Sequence, residues 1–139
     1  HLLAPEVGRL GVQVRWDAPQ TVVVQADPVA LDQIVHNLLL NAMQALDRVD
    51  AGRRTLRLSV QARDGQGALA VTDSGPGLPA EVLPRVFEPF FTTREGGLGL
   101  GLSLSETLAG AMGGRLVAAN ADDGGAAFTL QLPLAGAAP

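Results

Sequence analysis

Apolar positions along this chain follow two periods, and the switches between them mark out the elements. Leu2 to Leu10 reads as a short helix at the end of a preceding domain. From Gly11 to Trp16, Val12, Val14 and Trp16 alternate with Gln13 and Arg15, which predicts a strand. Thr21 to Gln25 is β-branched and is predicted as its neighbour. Asp27-Pro28 carries the signature of a helix start, an acid at the N-cap and proline in the first turn. Leu31, Ile34, Val35, Leu38, Leu39, Ala42 and Leu46 then keep helical spacing, to about Val49.

The period returns to two over Thr55 to Arg63, and again over Ala68 to Thr72. Asp64-Gly65-Gln66-Gly67 between them predicts a hairpin. Asp73-Ser74-Gly75-Pro76-Gly77 breaks all regularity, and Pro79 to Val86 reads as a short helix. Glu88 to Leu98 has too little periodicity for anything but a loop. Gly99 to Met112 is predicted helical, stopping at Gly113-Gly114. Arg115 to Asn120 and Ala126 to Leu132 are two last strands around an Asp122-Asp123-Gly124-Gly125 turn. The expected fold is a two-layer α/β sandwich: a mixed, mostly antiparallel sheet of about five strands, with three main helices on one face. The expected divisions are 1–10 as linker, 11–133 as one domain and 134–139 as a tail.

Composition narrows the chemistry. At 139 residues and 47% apolar, the chain can build one real core. No apolar run reaches the ~18 residues needed to cross a bilayer, and no secretory pattern opens the sequence. Cysteine is absent, which excludes disulfides and thiolate metal sites and fits a reducing cytoplasm; no direct membrane contact is expected. The net charge of −4 argues against nucleic acid as the partner. All ten cations are arginine, so a Walker-type phosphate loop, which needs a Gly-Lys step, is ruled out.

The candidate chemistry lies in four stretches. Gly96-Gly97-Leu98-Gly99-Leu100-Gly101-Leu102 leads straight into a helix. Bare backbone N–H groups at a helix start form a phosphate cradle, although the run alone is a weak signal. Asn37 and Asn41, four apart, share one face of the long helix. Their neutral oxygens suit Mg²⁺, yet taken alone the pair reads more simply as two solvated amides. Asp73 ends a strand and is followed by Gly75 and Gly77. A carboxylate there can accept from an exocyclic amine while the glycines admit a flat ring; an ordinary Asp-x-Gly turn is an equal reading. Phe87, Phe90 and Phe91 fall in one five-residue window and suit a lid anchor or simple core packing. Arg94 can reach a phosphate or stay solvated. His36 has no acid or Cys placed to form a cluster with it and reads as a structural or surface residue.

These pieces stand in one order: Asn37-x-x-x-Asn41-Ala42, Asp73-x-Gly75-x-Gly77, Phe87-Glu88-Pro89-Phe90-Phe91-Thr92-Thr93-Arg94, and Gly97-x-Gly99-Leu100-Gly101-Leu102. The order resembles the N box, first glycine box, F box and second glycine box of the ATP-binding catalytic domain of bacterial sensor histidine kinases. The resemblance runs from about Asp27 to Pro133, and the Phe-Phe-Thr-Thr form looks closest to the nitrogen-regulation and C4-dicarboxylate sensors. It implies the Bergerat fold of the GHKL superfamily, ATP and Mg²⁺ as cofactors, and roles residue by residue. Asn41 would ligate Mg²⁺ with Asn37 beside it. Asp73 would take the adenine amine, while Gly75 and Gly77 shape the base pocket. Residues 88–98 would be the ATP lid, with Thr93 and Arg94 near the nucleotide. Gly97, Leu98, Gly99, Leu100, Gly101 and Leu102 would surround the phosphates, and Thr129 would join the adenine-side water network.

The resemblance also implies partners. The parent would be a homodimer, anchored in the inner membrane in some members, and this piece alone a monomer. The phosphoacceptor histidine and the response-regulator contact would lie on an upstream helical dimerisation domain, since no His-Glu-x-x-x-Pro segment is present. The piece itself would then hold no catalytic nucleophile and would not phosphorylate itself. Two departures stand out: Leu98 where the family often has Thr, and Arg94 where it often has Lys. The rival readings are a gyrase-like ATPase, an anti-sigma Ser/Thr kinase and a non-catalytic nucleotide sensor. The ATPases place a Glu where this chain has Asn37, which leaves water without a base.

Overall fold

The computed structural model describes residues 11–18, 21–89, 91 and 101–135. In chain order the elements are β1 (Gln13–Asp17), α1 (Pro28–Leu46), β2 (Thr55–Arg63), β3 (Gln66–Asp73), α2 (Gly101–Ala111), β4 (Arg115–Asn120) and β5 (Ala126–Pro133). The five strands form one sheet in the order β1-β2-β3-β5-β4. Only the β1–β2 pair is parallel; the other three pairs are antiparallel. The mixed, mostly antiparallel sheet expected from the sequence is therefore present.

The core forms where two periodicities meet. Along β5, Ala126, Phe128, Leu130 and Leu132 are buried while the residues between them are half-buried on the other face. Against them α1 turns Ile34, Leu38, Leu39, Ala42, Met43 and Leu46, all buried. Helix α1 lies over β3, and α2 over β4 and β5. The start of α1 is as its sequence suggests. Asp27 accepts from the Val29 N–H at 3.2 Å, with Pro28 in the first turn.

Four expectations need correction. The helix expected to reach Val49 ends at Leu46, because Arg48 and Val49 close tight turns onto the carbonyls of Ala45 and Leu46. Residues 79–86 form turns and one 3₁₀ stretch, Leu83–Arg85, rather than a third α-helix. Pro84 has no N–H to donate, so the α-helical ladder cannot run through it. Two α-helices, not three, thus cover the sheet among the described residues. Thr21 to Gln25 does not neighbour β1. It makes a single bridge, Val24 to Leu134, with Gln25 donating to the Pro133 carbonyl. β-branched content marks extended backbone but names no partner.

β1 takes its pairing from β2 and forms the sheet edge. Val12 is buried, but Val14 and Trp16 are 46% and 63% exposed. Past Pro133, Leu134 donates to the Gly65 carbonyl and Ala135 to that of Val23, so pairing continues two residues into the expected tail. Residues 2–10 lie outside the described residues.

Candidate functional site

A cleft of about 420 Å³ opens between the C-terminal half of α1 and the end of β3. That volume falls in the range of small-molecule sites. Asn41 and Ala45 line it from α1, Arg48 from the turn just past that helix, Asp73 from β3, and Ala126 and Phe128 from β5. The turn after β3, through Gly77 and Leu78, forms its rim.

Asp73 is the chemical centre of the cleft. It is 3% exposed, and its Oδ1 accepts the Gly75 N–H at 2.8 Å and the Ala126 N–H at 3.4 Å. Burial pushes its carboxyl above the ordinary carboxylate range, and the Asp123 charge adds to this; the two N–H donors pull the other way. When ionised, the carboxylate can accept a further hydrogen bond from a ligand N–H.

The glycines around Asp73 make room. A Cβ at Gly75 would stand 2.8 Å from Asp73 Oδ1 and 3.1 Å from the Ala45 side chain. Gly77 has φ +78°, and a Cβ there would run into the Gly124 carbonyl. Gly125 packs directly on the Asp73 backbone, where any side chain would collide. Asn120 clasps the rim: its amide donates to the Leu78 carbonyl and accepts the Leu78 N–H.

This cleft, built on a helix, a strand end and a glycine-rich turn, belongs with a sequence match over residues 26–136. The matching family is described as Histidine kinase-, DNA gyrase B-, and HSP90-like ATPase. The chain belongs to that family.

Among its relatives, AfsQ2 of Streptomyces coelicolor, a signal transduction histidine-protein kinase, is 41% identical over 125 residues. That match covers 86% of this chain and 22% of the relative. The two-component sensor PprA of Pseudomonas aeruginosa is 44% identical over 140 residues, covering 96% of this chain and 15% of PprA. The chain thus spans under a third of the curated relatives it matches. The solved catalytic domain of histidine kinase ThkA superposes with a TM-score of 0.83 at 25% identity, covering 95% of this chain and 85% of that one. Full-length ShkA, solved in complex with AMPPNP, also gives 0.83, at 31% identity, with 99% of this chain and 29% of ShkA covered. The fold and the relatives make this the ATP-binding catalytic-domain type of sensor histidine kinases.

Within this family member, the structure brings together only part of the site expected from the sequence. Asn41, Asp73 and Gly77 line the cleft, and Gly75 abuts Asp73. Asn37 does not line it. Its side-chain nitrogen donates to the Gly101 carbonyl at 3.2 Å and to Ser105 Oγ at 3.1 Å, tying α1 to the first turn of α2. Gly101 opens that helix, and Leu102 packs half-buried against the core. Thr129 is not brought to the cleft: it pairs with Ala70 and Val117 on the sheet face opposite Phe128 and Leu130. Strand alternation decides this, since Phe128 and Leu130 on either side of it both face the core. Thr93, Arg94, Gly97, Leu98, Gly99 and Leu100 lie outside the described residues, as does Phe90.

Of the other aromatics, Phe87 meets Phe128 edge-on with centroids 6.3 Å apart, and Phe91 lies under the Arg85 guanidinium at 4.6 Å. His36 is half-buried on α1. Sequence reasoning missed Ala45, Arg48, Asn120, Gly125 and Ala126. The Asp-Asp-Gly-Gly turn was the available signal for the last three, but a turn does not say what it folds against.

Proposed function

We propose that this chain binds ATP with Mg²⁺ and presents its γ-phosphate to a histidine on a separate helical domain of the parent protein. The observation that carries this reading is Asp73: a buried carboxylate, held by two backbone N–H groups, at the wall of a ligand-sized cleft. It accepts the adenine amine, and the side-chain-free backbone at Gly75 and Gly77 lets the ring lie flat. The fit extends to the metal. Asn41 lines the cleft, and its side chain carries a neutral amide oxygen, the ligand type Mg²⁺ accepts. Bound there, Mg²⁺ would supply positive charge for the phosphate oxygens. The start of α2 supplies backbone N–H groups to the phosphates.

Phosphoryl transfer asks the protein mainly for position and charge. This chain binds and orients the donor; the partner domain brings the imidazole. A second copy of the parent, the response regulator that follows and the inner membrane belong to the parent protein in this reading. The structure of histidine kinase ThkA in complex with response regulator TrrA is a precedent for the kinase–regulator contact alone. The nitrogen-regulation or C4-dicarboxylate branch is the finer assignment, supported by Asn41-Ala42-Met43-Gln44-Ala45 and Phe90-Phe91-Thr92-Thr93. Residues 88–98 act as the lid in this reading.

The test joins this chain to its native helical domain and supplies γ-labelled ATP with Mg²⁺. The expected result is label on the partner histidine, none on the isolated chain, and strongly reduced label with Asp73→Asn at limiting ATP. Stable label on the isolated chain's own histidine, or rapid steady ATP turnover by it, overturns the proposal.

A further inference from the structure

Asn37 and Ser105 meet where the two helices cross. Ser105 is wholly buried on α2, yet it carries a hydroxyl. That hydroxyl donates to the Gly101 carbonyl at 2.8 Å and accepts the Asn37 side-chain N–H at 3.1 Å. The same Asn37 nitrogen donates to the Gly101 carbonyl at 3.2 Å. A carbonyl can only accept, so the amide must turn its nitrogen toward α2. Its oxygen is thereby turned the other way, where it accepts from Gln33 Nε2 at 3.2 Å.

The consequence falls on one peptide unit. The Gly101 carbonyl receives two side-chain donors in addition to the helix ladder. Its peptide partner is the Leu102 N–H, in the first described turn of α2. Donors on a carbonyl polarise the amide and strengthen the N–H at its other end. The clamp also ties the first described turn of α2 to α1, with Ser105 wholly buried and Asn37 half-buried. Alanine at position 105 would fill the space almost as well, so packing alone does not account for the hydroxyl.

We infer that Asn37 and Ser105 act as a pair of positioning residues, setting the first turn of α2 for the phosphate end of the nucleotide. This assigns Asn37 a role through α2 rather than as a metal ligand, and gives Ser105 a role no motif predicted. It rests on the ATP reading above, but its test separates the two.

Dissociation constants for ATP with Mg²⁺ and for adenosine are measured for the unmodified chain, Ser105→Ala, Asn37→Ala and the double variant, with thermal melts as a folding control. Ser105→Ala touches neither nucleotide nor metal. It is expected to weaken ATP about three- to tenfold, the scale of one hydrogen bond, while adenosine changes less than about twofold. The double variant is expected to bind ATP no worse than the weaker single variant, because the two act as one unit. Unchanged ATP affinity in Ser105→Ala overturns the inference. So does an equal loss for ATP and adenosine, or a double variant whose losses multiply. If the unmodified chain binds no ATP, or Asp73→Asn binds it as well as the unmodified chain, the nucleotide reading itself has failed.

Discussion

Asn120 holds Leu78 by both ends of its amide, accepting the Leu78 N–H at 2.7 Å and donating to the Leu78 carbonyl at 2.8 Å. The two residues are 42 positions apart in sequence. The clasp fixes the turn after β3 as the rim of the site. Asn120→Asp keeps the acceptor and replaces the donor with an oxygen facing a carbonyl. It is expected to cost about 1–3 kcal/mol in urea unfolding and to weaken ATP binding, while Asn120→Gln tests reach. No change in either measurement would show the rim to be held elsewhere.

Asp73→Asn separates binding from folding. The amide retains an acceptor for the Gly75 and Ala126 N–H groups but offers no charge to an amine. ATP affinity is expected to fall about 10- to 100-fold, the scale of a charged hydrogen bond, with an unchanged circular dichroism spectrum. Calorimetry that finds affinity intact would move the base pocket away from β3.

The pH dependence follows from the direction of the Asp73 shift. Its folded-state value lies above the ordinary one, so between the two the folded chain holds a proton that the unfolded chain releases. The Asp73 contribution to stability is therefore fully present below the ordinary value and is lost as pH rises through the raised value. Urea unfolding from pH 4 to 7 is expected to show the ligand-free chain losing stability relative to Asp73→Asn as pH rises. ATP binding runs opposite, since the amine needs the ionised acid: affinity should fall as pH drops through the same window. Parallel profiles for the unmodified chain and Asp73→Asn would contradict the burial argument.

Two apolar truncations contrast core and edge. Leu38 is fully buried on α1, and Leu38→Ala is expected to cost about 2–5 kcal/mol. Trp16 is 63% exposed at the sheet edge, and Trp16→Ala is expected to cost about 0.5 kcal/mol. Equal losses in chemical denaturation would mean that β1 is covered by something else in solution.

Gly75→Ala probes room rather than backbone freedom. Gly75 is not among the positive-φ glycines, so alanine meets no backbone penalty, but its methyl would press on Asp73 Oδ1 and Ala45. The expected outcome is weaker ATP binding with a melting temperature within a few degrees of the unmodified chain. A large drop in melting temperature with affinity preserved would reverse that assignment.

Local pattern was enough for much of this molecule. The alternation of β2, the hairpin to β3, the capped start of α1 and the stop of α2 at Gly113 are all properties of neighbouring residues, and each was legible in the sequence. So were Asn41, Asp73, Gly75 and Gly77, because ordered motifs carry them as text. The partner of β1, the open face of Trp16 and the broken helix at Pro84 were not, although Pro84 at least left a mark. Strand pairing and edge position depend on residues far away in the chain, which no window of sequence contains.

The site divides along the same line. The sequence alone determined that an acid would end β3 among glycines, since turn chemistry and strand period are local. Only the tertiary structure decided that Gly125 and Ala126 close over that acid from more than fifty residues away, that Thr129 faces the other side, and that Asn37 binds α2 instead of lining the cleft. The physical reason is that a side chain's role is set by what packs against it, and packing is fixed by the crossing of helices and sheet, not by its neighbours in the chain.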